Sequence, residues 1–561
     1  MVYNFFSFFG SELKSVTQGA FVLAAAGILA DLLSLFRDRL LASEFGASRT
    51  LDLYYVAFRI PDFIYTFSLF FAASTAVIPI LLEKFSEDRK GAEDFFGNIF
   101  SLFGLVTVLL VVLAYFLMPF LVPYFAPGFS AEEQGRVILL SRILLLSPLF
   151  LGLSNLVSSV IQSFRRFYIY ALSPLFYNLG IIIGIIFFLP RWGLSGIVWG
   201  VVFGAFLHLV IQLPTVFSLG FSLRPRLPKI SPELIRSLKL SLPRTLGLSL
   251  NQLVLSAVTA LGSTLGAGAV AVFNFATNLQ SVPLSVIGLS YAVSAFPTLA
   301  ASYAKNGRSE FLEHFSLAFR HIVFWSLPAT VLFIVLRAQI VRVILGAGAF
   351  TWADTRLTAA ALFLFSFSIL SQSLIMLFIR AFYAAGHTFL PVGLNLISSA
   401  ATVASAWWFL GLFQTSAAFH SWFLRTLRVG DIAESGVLIL PLAISLGSLV
   451  NLILLLWYFK KNFGRFDGEA IKYSWRDSFL ASFILGLAAY YSLKFFALIF
   501  DLDTFLGIFL QGFSAGILGI FAGALVLFFL KNQEFKEFAE AFREKFWKKI
   551  FVLFSEPEKL P

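Results

Sequence analysis

The chain has 561 residues, of which 59% are hydrophobic and 13% are charged, and its net charge at pH 7 is +11. This much apolar surface excludes a soluble fold of the same size, and the absence of cysteine excludes disulfides and thiolate metal sites. The basic excess does not indicate nucleic acid as a partner, because the basic residues lie in short connections between apolar segments.

Hydropathy predicts an all-α polytopic membrane protein with about fourteen transmembrane helices of about 20 residues or more. Helices are expected because lipid offers backbone groups no hydrogen-bonding partner. Apolar runs such as residues 105–118 do not alternate with polar residues, which excludes a transmembrane barrel. The predicted spans are 16–36, 53–82, 95–120, 136–160, 169–189, 194–217, 236–261, 269–301, 316–344, 357–383, 389–412, 436–459, 475–500 and 504–530. Prolines predict interruptions at Pro61, Pro148, Pro174, Pro243 and Pro283, or simple kinks there.

Basic residues concentrate in every second connection. The basic connections are 84–90, 165–166, 224–239, 305–320, 460–476 and the segment after 531. The positive-inside rule therefore predicts that both termini are cytoplasmic, which requires an even number of spans.

Two sequence matches at nearly the same spacing indicate an internal repeat. PLFYNL at 174–179 matches PVGLNL at 391–396, and AASTAVIPIL at 72–81 resembles LSYAVSAFPTL at 289–299. A spacing of six helices keeps the orientation, so we predict two parallel six-helix repeats. The predicted domains are an N-lobe at 1–222, a C-lobe at 223–462, two further helices at 463–531 and a cytoplasmic tail at 532–561.

Two segments outside the spans are amphipathic. In 534–554 aromatic and aliphatic residues recur every three or four positions, with Lys and Glu opposite. This pattern predicts a helix on the cytoplasmic membrane face, or alternatively one packed on another part of the protein. Residues 413–434 predict a similar element on the outer face.

A charged stretch at 37–63, with Asp31 just upstream, interrupts the apolar sequence. Charged residues in or beside spans are costly and usually mark a substrate or ion pathway. Arginine matches phosphate oxygens well, and the predicted substrate-binding residues are Arg37, Arg39, Arg59, Arg244 and Asn278. The predicted gating or ion-pairing residues are Asp31, Asp38 and Asp52. The alternative is that the arginines reach the lipid headgroups or pair internally with these aspartates.

No motif for covalent chemistry is present. The sequence lacks a Walker lysine motif, a nucleophile elbow and an HExxH pair, and its five histidines have no metal-ligand spacing. We therefore predict a transporter rather than an enzyme, without a cofactor or a resident metal. A coupling cation stays open.

Several stretches together resemble the MurJ (MviN) family of lipid II flippases, within the multidrug/oligosaccharidyl-lipid/polysaccharide exporter superfamily. They are RDRLLASEFGASRTLDLYYVAFRIPDF (37–63), FAPGF (125–129), LPRTLGLSLNQL (242–253), FNFATNLQSVPLSVIGLSYAVSAFPTLA (273–300) and RAFYAAGHTFLPV (380–392). The resemblance implies fourteen helices, two lobes in a V, a central cationic cavity, and a lipid-tail groove made by the last two helices. It implies alternating-access transfer of a lipid-linked pyrophosphate across the bacterial cytoplasmic membrane, with membrane lipids as partners and cell-wall synthesis enzymes as further candidates.

The resemblance also assigns residues. The family's motif arginine and aspartate fall on Arg37 and Asp38, its second-span aspartate on Asp52, and its basic residue after VAF on Arg59. Arginines of many members fall instead on Asp31, near Tyr65 and on Asn278, and a sodium-linked aspartate falls near Val258. The cationic set is thus redistributed, with Arg244 as a substitute.

Three alternative functions stay open at this point. One is a flippase for another lipid-linked oligosaccharide. The second is a drug or cation exporter of the same superfamily, against which the arginines and the two extra helices count. The third is an inactive homologue that acts as a scaffold for cell-wall enzymes.

Overall fold

The computed structural model describes residues 16–543, except residues 73, 165, 222, 224–226, 230, 306 and 465–467. Within these ranges every regular element is helical. Eleven helices, or twelve when a bent pair is taken as one span, are long and apolar enough to cross a membrane. The prediction of an all-α polytopic membrane protein is confirmed at this level.

Ten principal helices form the first part of the chain. They are α1 (Val16–Phe45), α2 (Arg49–Ala57), α3 (Arg59–Ala72), α4 (Ser74–Glu87), α5 (Arg89–Phe125), α6 (Ala131–Leu144), α7 (Leu146–Ser163), α8 (Phe167–Ile183), α9 (Leu194–Val210) and α10 (Leu213–Ser218). A π-helical turn, Gly184–Phe188, and a short helix, Leu189–Trp192, extend α8.

Twelve more principal helices follow. They are α11 (Pro232–Ser263), α12 (Ala269–Pro283), α13 (Ser290–Ala304), α14 (Arg308–Leu345), α15 (Trp352–Ser366), α16 (Ser368–Ala384), α17 (Phe389–Thr415), α18 (Ala417–Leu427), α19 (Ile439–Phe463), α20 (Gly468–Phe496), α21 (Phe505–Phe529) and α22 (Gln533–Phe542). A π-helical turn, Leu284–Leu289, joins α12 to α13, and a 3-10 helix, Ala433–Leu438, precedes α19.

Hydropathy located twelve of the fourteen predicted spans on helices that could cross a membrane. The other two are the first and the second. The segment 16–36 falls on α1, and 53–82 falls on α2, α3 and α4, of which α2 and α3 are separated at Phe58. These are the helices that carry most of the charged stretch.

Helix breaks follow some of the prolines. Pro148 lies in the first turn of α7 and Pro61 in that of α3, positions at which proline needs no backbone N–H. Pro283 directly precedes a π-helical turn. Pro174 and Pro243 lie inside unbroken helices, so the prediction of a helix interruption at these two prolines was wrong. A 45° bend between α15 and α16 has no proline and was not predicted.

Contacts divide the chain into two compact units. The first contains residues 1–279, 344–361 and 388–447. In this unit α8 and α9 approach through glycines: a Cβ on Gly180 would lie 2.2 Å from Cα of Gly204. The predicted boundaries of the lobes, at 222 and 462, stay a prediction.

The second unit contains residues 280–343, 362–387 and 448–561. Here α20 and α21 pack closely, and a Cβ on Gly519 would lie 3.0 Å from the carbonyl oxygen of Leu485. Helix α22 docks on α14, because Arg320 lies 3.2 Å from Glu534 and His321 lies 3.0 Å from Glu537. This part of the amphipathic tail therefore packs on the protein, and residues 544–561 lie outside the described residues.

Candidate functional site

Arg37 carries its own counterion near the end of α1. Its Nε and Nη2 donate to Oδ1 of Asp38 at 3.0 and 2.8 Å. Nη1 donates to Oδ1 of Asn178 in α8 at 3.1 Å, and Nη2 donates also to Oγ of Ser34 at 3.0 Å. Only 1% of Asp38 is exposed. A buried carboxylate requires such pairing, so in this structure Arg37 follows the internal-pairing alternative.

The second oxygen of Asp38 binds Asn278 in α12. The amide Nδ2 of Asn278 donates to Oδ2 of Asp38 at 2.8 Å. Asn278, which was predicted to bind substrate, therefore contacts a predicted gating residue. The contact joins α1 to α12.

Asp52 caps the N-terminus of α12. It is fully buried, and it accepts the backbone N–H groups of Gly268 at 2.7 Å and Ala271 at 2.8 Å. A carboxylate at this position satisfies otherwise unpaired N–H groups and interacts favourably with the helix dipole. Gly268 has φ +81°, and a Cβ there would lie 2.0 Å from the carbonyl oxygen of Ala47. The close approach thus requires glycine.

Arg49 adds a cation to this cap. Its Nη1 lies 3.8 Å from Oδ2 of Asp52, and its Nε lies 3.4 Å from Oε1 of Glu133. Nη1 also donates to the carbonyl oxygen of Ser263 at 3.3 Å. Arg49 therefore links α2 to the end of α11 and to α6.

Arg59 is a buried arginine of the predicted set that has an unused donor. It is 4% exposed, and its Nη2 donates to Oδ1 of Asn274 in α12 at 3.2 Å. Its Nε is buried and meets no acceptor in the described part of the chain. Asp62, three residues further along α3, interacts with it electrostatically, but no described carboxylate forms a salt bridge with it. A guanidinium with unused donors can bind an anion in planar geometry.

The contacts converge on one face of α12. Ala271, Asn274 and Asn278 are three and four residues apart, and such spacing places them on the same side of a helix. This face meets α1 through Asp38, α2 through Asp52 and α3 through Arg59. We call these three connections the α12 contacts. They must separate if α12 moves away from α1–α3.

The three remaining predicted residues are not among the described partners that form the α12 contacts. Arg39 donates through Nη1 to the carbonyl oxygen of Ile344 at 3.3 Å. Asp31 is partly exposed on α1. The backbone of Arg244 lies within α11, but its side chain is outside the described residues. Their predicted roles stay predictions.

Sequence reasoning did not assign Arg49 and Asn178 to the site, and it named Asn274 as a polar group of the eighth span without predicting that it binds substrate. Asn178 was within reach, because it belongs to PLFYNL, one of the repeated motifs. Asn274 lies four residues before Asn278, so helical spacing alone could have selected it. Arg49 lies in the charged stretch at 37–63, but the sequence did not single it out, because its partners come from three separate segments.

No group of three or more His, Asp or Glu side chains that could hold a metal ion occurs among the described residues. The arrangement has no nucleophile beside a base. It can hold and release ion pairs and hydrogen bonds between helices, and it can present a buried guanidinium to an anion. A coupling cation stays a prediction.

Comparisons with known proteins agree with this chemistry. The family model described as "Lipid II flippase MurJ" matches residues 41–510. A relative from Buchnera aphidicola subsp. Schizaphis graminum (strain Sg), named "Probable lipid II flippase MurJ", is 28% identical over 436 residues, which cover 77% of this chain and 80% of the relative.

Two solved structures share the fold. The one titled "Lipid II flippase MurJ, inward closed conformation" has a TM-score of 0.71 and 22% identity, and the match covers 92% of this chain and 100% of that chain. An inward-facing multidrug resistance MATE family transporter of the MOP superfamily has a TM-score of 0.64 and 14% identity, covering 81% and 99%. At these identities the likeness concerns the fold.

Proposed function

Because this chain belongs to the lipid II flippase MurJ family, we propose that it moves lipid II, an undecaprenyl-pyrophosphate-linked peptidoglycan precursor, from the inner to the outer leaflet by alternating access. The observation that carries this function is the family match across residues 41–510. The protein is a multi-pass transporter of the bacterial inner membrane and not an enzyme.

The physical task is to carry a charged headgroup through hydrocarbon. An unshielded pyrophosphate is too costly to place there, so a flippase must offer cations and polar groups along the path. Arg59 supports this role, because its guanidinium is buried with an unused Nε. Asp62 interacts with it electrostatically, but no carboxylate in the described part of the chain forms a salt bridge with it. In our proposal Arg59 is the first cation to bind the pyrophosphate.

Arg37 enters the proposal as a cation that is exchanged. Asp38 neutralises it here, and a phosphate oxygen could take the place of the carboxylate. The hydrogen bond from Asn278 to Asp38 would then be lost. The carboxylate of Asp38 would thus link substrate binding to the separation of α12 from α1. The substrate would contact the closed and the open state differently, as any ligand that shifts the equilibrium between two states must.

Fourteen spans in two six-helix repeats are also part of the proposal. Helix lengths support the repeat. In the proposed second repeat α14 takes the place that α5 has in the first, and the two helices have 38 and 37 residues. The span formed by α6 and α7, of 33 residues, corresponds in chain order to the bent pair α15–α16.

Equivalent asparagines support the repeat at the level of side chains. Asn178, in the first copy of the repeated motif, accepts from Arg37 in α1. Asn395, in the second copy, donates to Oδ1 of Asn251 in α11 at 3.2 Å. Helices α1 and α11 begin the two proposed repeats, so the same kind of contact recurs at matching places.

We propose cytoplasmic termini, from the distribution of basic connections, and a lipid-tail groove at α20–α21. The second proposal is supported by the outer faces of these helices, which expose Phe479, Phe483, Phe513 and Phe521 by more than half. Large exposed apolar side chains suit a hydrocarbon chain. Cell-wall synthesis enzymes stay a predicted class of partner.

Flipping by the purified full-length protein tests the function. Vesicles containing labelled lipid II would be compared with vesicles containing another lipid-linked oligosaccharide, with and without sodium and proton gradients. We expect transfer of lipid II and a loss of more than about tenfold in Arg59→Gln, because removing one charge-assisted hydrogen-bonding group costs about 1.5–3 kcal/mol.

Arg136→Gln is the matched control. Arg136 is exposed and pairs with Glu132 at 2.7 Å within α6, so its loss should leave transfer unchanged. Transfer of the other oligosaccharide alone would reassign the substrate. No transfer of any lipid, by a protein that keeps its thermal transition, would support the inactive scaffold.

A further inference from the structure

A groove of about 730 Å³ lies on α7–α9, and none of its lining residues belongs to the candidate site. Its walls share an apolar, mostly aromatic character. They are Leu146, Phe150, Phe188, Trp192, Ser195, Trp199, Val202, Phe203 and Phe206. Ser195 is the only polar side chain among them. Such a lining favours a hydrocarbon ligand, because burial of apolar surface is the main source of binding free energy that these side chains offer.

The groove is built on closely packed helices. A Cβ on Gly184 would lie 2.6 Å from Cα of Gly200, so the end of α8 and α9 touch through their backbones. The π-helical turn Gly184–Phe188 then brings Phe188 within 5.3 Å of Trp192, measured between ring centroids. Opposite, Phe150 of α7 and Phe206 of α9 meet edge to face at 5.6 Å. The walls are therefore fixed by packing.

The groove lies beside the turn at which α8 and its extension return into α9. Gly193 makes this turn with φ +58°. Trp192 is 57% exposed at the turn, and Trp199 is 41% exposed two helical turns further along. Exposed tryptophans at the end of a span are typical of the membrane–water interface. The groove thus extends from the interface into the adjacent leaflet, which is the outer one in the proposed orientation.

One cation lies at the mouth of this groove. Arg191 is exposed between the lining residues Phe188 and Trp192, and its Nη1 donates to the carbonyl oxygen of Phe187 at 3.1 Å. The sequence contains no Asp or Glu from residue 134 to residue 232. Within the described residues Arg191 forms no ion pair. This end of the groove therefore carries a positive charge that no described carboxylate pairs with.

We propose that this groove is a binding site for one anionic glycerophospholipid of the surrounding leaflet, with an acyl chain against the aromatic walls and its phosphate on Arg191. The charge and the lining are complementary to the two parts of such a lipid. The inference does not depend on the transport of lipid II, since it concerns only the groove and its mouth.

Native mass spectrometry of the full-length protein with phosphatidylglycerol or phosphatidylcholine tests the site. We expect one tightly held phosphatidylglycerol, and a preference over phosphatidylcholine that falls about fivefold in Arg191→Gln, as about 1 kcal/mol per basic residue near a membrane surface implies. Ser195→Phe should fill the groove and weaken both lipids, because Ser195 is only partly buried and the larger ring would occupy the space of the chain.

Arg136→Gln again provides the control, and its lipid preference should equal that of the wild type. A thermal transition measured for each variant separates loss of binding from loss of folding. Equal retention of the two lipids by the wild type would overturn the proposal. So would binding of a polyprenyl phosphate at this groove with no retention of phosphatidylglycerol.

Discussion

Asn278 donates a hydrogen bond to Oδ2 of Asp38 at 2.8 Å while Arg37 binds Oδ1 of the same carboxylate. One buried aspartate thus holds both the arginine beside it in α1 and an amide of α12. Arg37 is charged and Asn278 is neutral, so mutation of each should change the free energy of unfolding by a different amount.

The first prediction compares the two sides of this carboxylate. Asp38→Ala leaves Arg37 without its counterion, and we expect a loss of about 3–5 kcal/mol of unfolding free energy. Asn278→Ala keeps the ion pair and removes one hydrogen bond, so the expected loss is about 1–3 kcal/mol. Thermal unfolding in one detergent measures both. Equal losses would show that Asp38 does not act mainly as the partner of Arg37.

The second prediction concerns the Asp52 cap. The protein contains no cysteine, so Ser263→Cys gives a single reporter at a fully buried position beside Gly128. Asp52→Ala should weaken the α12 contacts by about 1–2 kcal/mol. We therefore expect labelling by a water-soluble maleimide to increase about 5- to 30-fold.

Asp88→Ala is the control for this experiment. Asp88 caps α5 by accepting the N–H groups of Lys90 and Gly91, so the chemistry is the same at a helix remote in sequence from α12. Its loss should leave the labelling of Ser263→Cys unchanged. An equal increase in the two variants would mean that capping affects the whole fold and not the α12 contacts.

The twelve spans that sequence analysis located depend on long apolar segments, and hydropathy measures that property directly. The details of the site depend on tertiary partners. Arg37 and Asp38 are adjacent in sequence, so their pairing could be listed as an alternative, but the amide from α8 that completes it could not be derived from local sequence. Asp52 illustrates the same limit, because its ligands are backbone N–H groups that have no sequence signature.

The third prediction is a pH dependence outside the spans. Arg356 donates to both oxygens of Asp431 at 2.6 Å, and this hydrogen bonding lowers the pKa of Asp431. A lowered pKa in the folded state means that the stabilisation is fully present above the unfolded pKa, about 3.9. It is lost as the pH falls through the folded pKa. We expect Asp431→Asn to lower the thermal transition at pH 7 and to match the wild type once the pH lies below the folded pKa of Asp431. A difference that persists at low pH would contradict this assignment.

The fourth prediction tests the glycine contact between α8 and α9. Gly180→Ala would place a Cβ 2.2 Å from Cα of Gly204, and overpacking of this kind typically costs about 1–3 kcal/mol. Gly104→Ala is the control, since its Cβ would meet no atom within 4 Å on α5. Alanine is the better helix former, so the control should be neutral or more stable. Thermal unfolding distinguishes them, and an unchanged transition in Gly180→Ala would show that the helices can move apart freely.

The last prediction concerns how α22 is held on α14. The side chain of Glu534 is 2% exposed and that of Arg320 is 13% exposed, so their ion pair is largely buried, whereas the pair of Lys536 and Glu540 on the same helix is exposed. Glu534→Gln leaves Arg320 without its carboxylate and should destabilise the protein by about 3–5 kcal/mol. Glu540→Gln breaks only an exposed pair and should cost less than about 1 kcal/mol. If α22 were held by lipid rather than by α14, both variants would unfold at the same temperature, and limited proteolysis at α22 would be equally slow in the two.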